Sequence, residues 1–275
     1  MIGLSRLALG GLAWILVSIP HRALAGAWTE PPGGYYLKLE AAGLSTDQVF
    51  DAAGNLVDYI SALSPGTYQE RQLRLYAEYG LATRLTLVGA TAYQRLEVRE
   101  EGAVWNTWGL SDIRIGARYG LTTGNVVSAL AIDLKIPSGY DAADFPALGS
   151  GDPDLGLTFL AGHSFGRIYV NGEAGYNLRS GPLENEWLWS AEAGWTATTW
   201  AGLRTSLRSR SAAGADATGN SLDPTQVNGR SLKWAGTLIL SASSRFDIEA
   251  SATSTLSGRK TLAGTEASLG MVWHR

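Results

Sequence analysis

Gly162-His-Ser-Phe-Gly166 is the stretch of this 275-residue chain with the spacing of a nucleophile elbow, in which a strained turn presents a serine Oγ to a substrate carbonyl. Such a serine needs an imidazole from elsewhere in the chain to take its proton. Three histidines exist: His21, His163 inside the motif itself, and His274 next to the last residue. His21 lies in a segment read below as a removable signal. Hydrolysis is therefore the weaker reading, and the motif is expected to be a hairpin turn. Asp141, Asp144, Asp152 and Asp154 offer oxygen atoms that suit calcium, but their spacing is not that of an EF-hand. Gly-Asp and Asp-Pro are also ordinary turn dipeptides, so a structural loop is expected there. Neither a cofactor nor a metal is called for.

A larger set of charges is more informative because it follows a two-residue period. Arg74 and Glu78 share one face of their segment, as do Asp112, Arg114 and Arg118 in theirs, and Asp133 and Lys135 in the next. Glu173, Glu192, and then Arg204, Arg208 and Arg210 continue the pattern, with Asp247 and Glu249 after them. Apolar residues fill the opposite parity: Leu73 and Leu75, Ile113 and Ile115, Leu130 to Ile136, Leu203 and Leu207. Successive side chains of a strand point to opposite faces, so each segment has one greasy and one charged face. So many unpaired charges in a dry core would be very costly. They are expected either to pair with one another in a stiff, filled interior or to meet water in a lumen. In the second case the basic run Arg204, Arg208 and Arg210 biases the path toward anions. Trp187, Trp189 and Trp195 fall on the parity opposite Glu192, which favours a lipid-facing aromatic belt over a stacking site for a sugar or aromatic ligand.

The elements that position these residues are strands. Gly109–Gly120 and Val126–Pro137 alternate on either side of a Thr-Thr-Gly-Asn turn, a hairpin signal. Tyr35–Leu44, Thr67–Tyr79, Leu85–Val98, Asp152–Ser164, Ile168–Arg179, Glu186–Ala197, Ala201–Ser211, Leu232–Ser241, Phe246–Leu256 and Gly264–Trp273 complete about twelve segments of membrane-crossing length. The faces of Leu85–Val98 are blurred. Connections alternate between tight turns and longer loops, among them Ser45–Gly66, Arg99–Trp108, Ser138–Gly151 and Ala212–Arg230. That rhythm predicts an all-β, antiparallel, up-and-down transmembrane barrel with short turns on the periplasmic side and both termini there. Tyr35, Tyr79, Tyr119, Trp187 and Trp273 sit where interfacial aromatic girdles belong.

Residues 1–27 read as a signal peptide: Arg6, an apolar run from Leu7 to Ile19, and small-residue cleavage sites at Ala23-Leu-Ala25 or Ala25-Gly-Ala27. Residues 28–275 are then a single barrel domain. Loss of Arg6 and Arg22 moves the formal charge from −3 to −5, which argues against nucleic acid as a partner. There is no cysteine, in keeping with a chain that folds outside the cytoplasm without disulfides.

Gly109-Leu-Ser-Asp-Ile-Arg-Ile-Gly-Ala-Arg-Tyr119, Leu134-Lys-Ile-Pro-Ser-Gly-Tyr-Asp141 and Gly149-Ser-Gly-Asp-Pro-Asp-Leu-Gly156 resemble the outer-membrane family labelled "MetA-pathway of phenol degradation". Gly26-Ala-Trp-Thr-Glu-Pro31 and Gly172-Glu-Ala-Gly-Tyr176 share the likeness. The resemblance implies a bacterial outer-membrane transporter linked by name to uptake of hydrophobic or aromatic compounds. The chain departs from the usual terminal aromatic of such barrels, since His274 and Arg275 follow Trp273. Passive transport of small molecules, without enzymatic chemistry, is the expected function. A small anionic-solute porin and a filled structural or adhesive barrel are the alternatives. Expected partners are outer-membrane lipid, a small solute and the machinery that assembles outer-membrane barrels.

Overall fold

The computed structural model describes residues 26–59, 66–214 and 227–275. In chain order the strands are β1 (Tyr35–Thr46), β2 (Gln48–Phe50), β3 (Leu56–Asp58), β4 (Thr67–Ala82), β5 (Leu85–Glu100), β6 (Ala103–Leu110), β7 (Ile113–Thr122) and β8 (Val126–Ile136). They continue as β9 (Asp154–Phe165), β10 (Ile168–Arg179), β11 (Glu186–Thr196), β12 (Ala201–Ala212), β13 (Arg230–Ser243), β14 (Phe246–Arg259), β15 (Thr261–Leu262) and β16 (Thr265–His274). Antiparallel pairing runs from β4 through β1, β16 and β14 back along the chain to β5, and the β4–β5 ladder closes the ring. β6 and β7 act as one interrupted wall strand, so the barrel has twelve strands, the expected fold. Closure leaves the backbone of the spanning region paired within the sheet, which a hydrocarbon solvent requires.

The alternation decides which face meets lipid. Leu130, Ile132, Leu134, Leu157, Phe159, Leu203 and Leu269 are all exposed on the convex side. At the tight-turn end Tyr35 stands opposite Tyr79, and the Phe246 and Trp273 rings lie 5.3 Å apart. Trp187, Trp189 and Trp195 are exposed outward as well. An apolar belt with aromatic ends wrapped around a charged interior is the form of a bacterial outer-membrane barrel, a class whose tight turns face the periplasm.

Two segments depart from expectation. Arg99–Trp108 is not a long connection: Glu101 and Gly102 form a tight turn, with Gly102 at φ 82°, and β6 returns along β5. Val104, Asn106 and Trp108 point outward from β6, while Trp105 turns inward to Phe145, with ring centroids 5.7 Å apart. Without an alternating charge to mark its faces, this strand reads as loop. Ser45–Gly66, also expected to be a loop, contains β2 and β3, which join β15 in a small separate sheet.

On the loop side the polarity of the wall reverses. Leu73 and Tyr93, cross-strand partners, face outward; the next outward pair is Arg71 and Arg95. Inside, at that level, Tyr68, Leu96 and Val98 are buried with Tyr59, Leu148 and Leu262. Apolar side chains above the membrane bury themselves inside and leave the charged ones to water, as in any soluble sheet.

Candidate functional site

The inner wall carries the charged parity, and ion pairs there skip strands. Arg74 on β4 reaches Glu266 on β16 across β1, and Arg118 on β7 reaches Glu78 on β4 across β5. Side chains two strands apart converge only on the concave side of a barrel, so these groups point into the lumen.

The lumen holds two extended ionic networks. One begins at Arg74, which also contacts Glu40 at 3.2 Å, and passes through Lys38 to Glu249 at 2.9 Å. Glu249, fully buried, accepts from Arg204 at 2.9 Å, and Arg204 lies 3.9 Å from Glu192. The Tyr169 hydroxyl donates to Glu192 at 2.8 Å. The other network runs along the loop-side half of the wall. Lys135 contacts Asp154 at 2.8 Å and Asp112 at 3.7 Å, and Arg179 lies 3.9 Å from Asp154. Glu186 then joins Arg179 and Arg210, each at 3.2 Å. Between them, Arg118 grips Glu78 with both guanidinium nitrogens, and Tyr76 donates to Glu78 at 2.5 Å.

Asp112 occupies the break between β6 and β7, where it accepts from the Tyr140 hydroxyl at 2.5 Å. Burial, then the neighbouring Asp112 carboxylate, raises the Tyr140 phenol well above its ordinary range, so it stays a donor. This bond, together with Gln94 donating to the Leu148 carbonyl at 2.7 Å, folds the β8–β9 loop inward over the lumen.

Other charges remain wet. Arg114 and Asp133 pair at 2.7 Å but are partly exposed, and Glu173 receives only a 3.5 Å contact from Asn171. Arg208 and Lys233 are exposed on the inner wall, directly opposite one another on β12 and β13. Neither has an ion-pair partner within 4 Å among the described residues.

Sequence reading overlooked Lys38, Glu40, Glu186, Lys233 and Glu266 as members of this lumen, although their parity marks them. Asp154, weighed as a turn or calcium residue, is instead the buried partner of Lys135. Asp141 accepts from the Ala143 amide at 2.9 Å within its own loop. Ser164 is the penultimate residue of β9, and the tight turn that follows contains Gly166 at φ 63°. Its neighbour His163 faces the other side of the strand, contacts the Asn125 carbonyl at 2.6 Å, and lies beside Phe165. His274 contacts Asp247 at 2.9 Å, and His21 lies outside the described residues.

One unforeseen element crosses the lumen at the tight-turn end. From β1 the chain doubles back at Pro31–Gly34 and lays residues 26–31 along the inner wall. Glu30 donates its amide to Thr86 at 2.8 Å, and Ala27 donates its own to Asn171 at 3.0 Å. Trp28 packs edge-on against Tyr169, with centroids 6.0 Å apart. The strap fits because the wall beneath it is bare: a Cβ on Gly80 would strike the Pro31 carbonyl, and one on Gly162 the Trp28 ring. Of the expected signal segment, residues 1–27, the first 25 lie outside the described residues, whereas Gly26 and Ala27 lie inside the barrel.

No family model matches the chain, and no curated protein is similar to it in sequence. Its fold is that of solved outer-membrane barrels. The COG4313 outer membrane channel from Pseudomonas putida F1 is 17% identical, with a TM-score of 0.70 over 90% of this chain and 98% of that one. The NanC porin is 9% identical at TM-score 0.53, over 87% of this chain and 99% of its own. The translocator domain of the autotransporter NalP from Neisseria meningitidis is 12% identical at TM-score 0.51, over 87% and 88%.

Proposed function

We propose that this barrel is a passive route for small solutes across the outer membrane, with a polar lumen biased toward anions. The supporting observation is the Arg208–Lys233 pair: two cations placed directly opposite each other on the inner wall, exposed, with no carboxylate within 4 Å of either among the described residues. Like charges so placed are unfavourable unless water or a mobile anion screens them. The remaining lumen charges of the sequence reading, from Arg74 to Arg210, act in this proposal as the polar lining or as the ion pairs that hold its shape. No covalent chemistry is assigned, since neither described histidine is placed to take the Ser164 proton.

A second reading keeps passive transport and changes the cargo to hydrophobic or aromatic compounds, as the family resemblance suggests. What favours it is the apolar cluster of Tyr59, Tyr68, Leu96, Val98 and Leu148 at the outer mouth.

Single-channel current of the refolded protein in a planar bilayer, with reversal potential in a salt gradient, separates the two. Stable steps with anion preference, reversed or abolished in R208E/K233E, are expected. A folded barrel without current would overturn the polar route. Saturable entry of a monoaromatic hydrocarbon into protein-bearing vesicles would then favour the second.

A further inference from the structure

The outward faces of β4 and β5 change character at one rung of the ladder. Leu73 and Tyr93 are the last greasy pair, and Trp108 on β6 extends the same interface, its ring 6.3 Å from that of Tyr93. The next outward rung is Arg71 opposite Arg95, followed by Gln69 opposite Glu97 and then Arg99. Same-face residues on a strand are about 6.6–6.8 Å apart, so these guanidiniums stand one step above the aromatic interface, at the depth of lipid headgroups.

The charge there is out of balance within the protein. Glu97 is shared between Arg95 at 3.4 Å and Arg99 at 2.5 Å. Arg71 has neither an ion pair nor a side-chain hydrogen bond among the described residues, although it faces a second arginine across the ladder. Like charges directly opposite one another destabilise a sheet. Three guanidiniums against one carboxylate border a hollow of about 140 Å³ on the outer surface, together with Gln69. A guanidinium presents a planar fork of donors that matches the oxygens of a phosphate. The hollow is continuous with a surface that already meets acyl chains, so a membrane lipid can supply that phosphate without leaving the bilayer.

We propose that Arg71, Arg95 and Arg99 form a binding site for the phosphate of an outer-leaflet lipid, whose acyl chains lie along Tyr93, Trp108 and Leu73.

The test uses the full chain refolded in a neutral detergent, with folding checked by heat-dependent gel mobility. Native mass spectrometry would follow binding of a bis-phosphorylated lipid A, its dephosphorylated form and inorganic phosphate. Wild type should retain the phosphorylated lipid, and R71Q/R95Q should weaken it about tenfold or more, the scale of one lost charge-assisted contact. E97Q, which removes the competing carboxylate, should tighten it. R245Q, at the opposite end of the barrel, should leave it unchanged. Should the double variant not fold, R71Q alone decides, because Arg71 has no described polar partner to lose. Equal binding of the dephosphorylated lipid, displacement by equimolar inorganic phosphate, or undiminished binding by R71Q would each overturn the proposal.

Discussion

Arg118 and Glu78 meet in a forked ion pair although a whole strand, β5, lies between them. Their side chains are 5% and 2% exposed, so the pair is dry on an otherwise polar wall. Removing one partner strands a buried charge. R118A should therefore cost about 3–5 kcal/mol of barrel stability, and R118M/E78L far less. Urea unfolding in vesicles, read by gel mobility, checks the pair. Equal losses in both variants would show that the contact, and not the stranded charge, sets the cost.

The strap tests occlusion at the periplasmic end. Deleting residues 26–31 removes the segment that crosses from Gly80 and Thr86 to Asn171, while every ladder from β1 to β16 remains. Larger single-channel conductance with unchanged gel mobility is expected. Gly162→Val should act in the same direction by displacing the Trp28 ring, and unaltered conductance in both would count against occlusion.

The same strap bears on processing. The Ala27 amide is bonded to Asn171 inside the lumen, so a mature chain beginning at Trp28 would lack that anchor. Of the two cleavage sites legible in the sequence, the one after Ala25 keeps it. N-terminal sequencing of protein from outer membranes should read Gly-Ala-Trp-Thr; Trp-Thr-Glu-Pro would favour the later site.

Leu96 and Leu75 separate packing from lipid contact. Leu96 is buried among Tyr68, Val98 and Leu148, and its truncation to alanine should cost about 2–5 kcal/mol. Leu75 faces outward and is 41% exposed, so Leu75→Ala should lose less, because lipid refills the space. Unfolding midpoints in the same vesicles rank the two.

The barrel was legible because charge and grease alternate with period two in nearly every strand, and that parity also places Arg74, Arg118 and Arg204 on one face. Parity says nothing about partners two strands away, so the Arg74–Glu266 and Arg204–Glu249 contacts had no sequence signal. Leu85–Glu100 explains why one strand was blurred. Its lower half is apolar outward at Leu85, Leu87 and Tyr93, and its upper half apolar inward at Leu96 and Val98. Taken over the whole strand, the two opposed patterns cancel. The strap left no periodic trace because it is neither helix nor strand, and β6 lacked the charges that mark a face.

That reversal is a waterline drawn on the hull. Sinking the barrel by one rung would put Arg71 and Arg95 among acyl chains, at about 2–4 kcal/mol for each arginine near the bilayer midplane and less toward the surface. Raising it by one rung would lift Leu73 and Tyr93 into water, giving up the transfer energy of two large side chains. On this side of the hull the draught of the molecule is thus marked by four side chains on two neighbouring strands, and a thicker or thinner bilayer must bend to meet them.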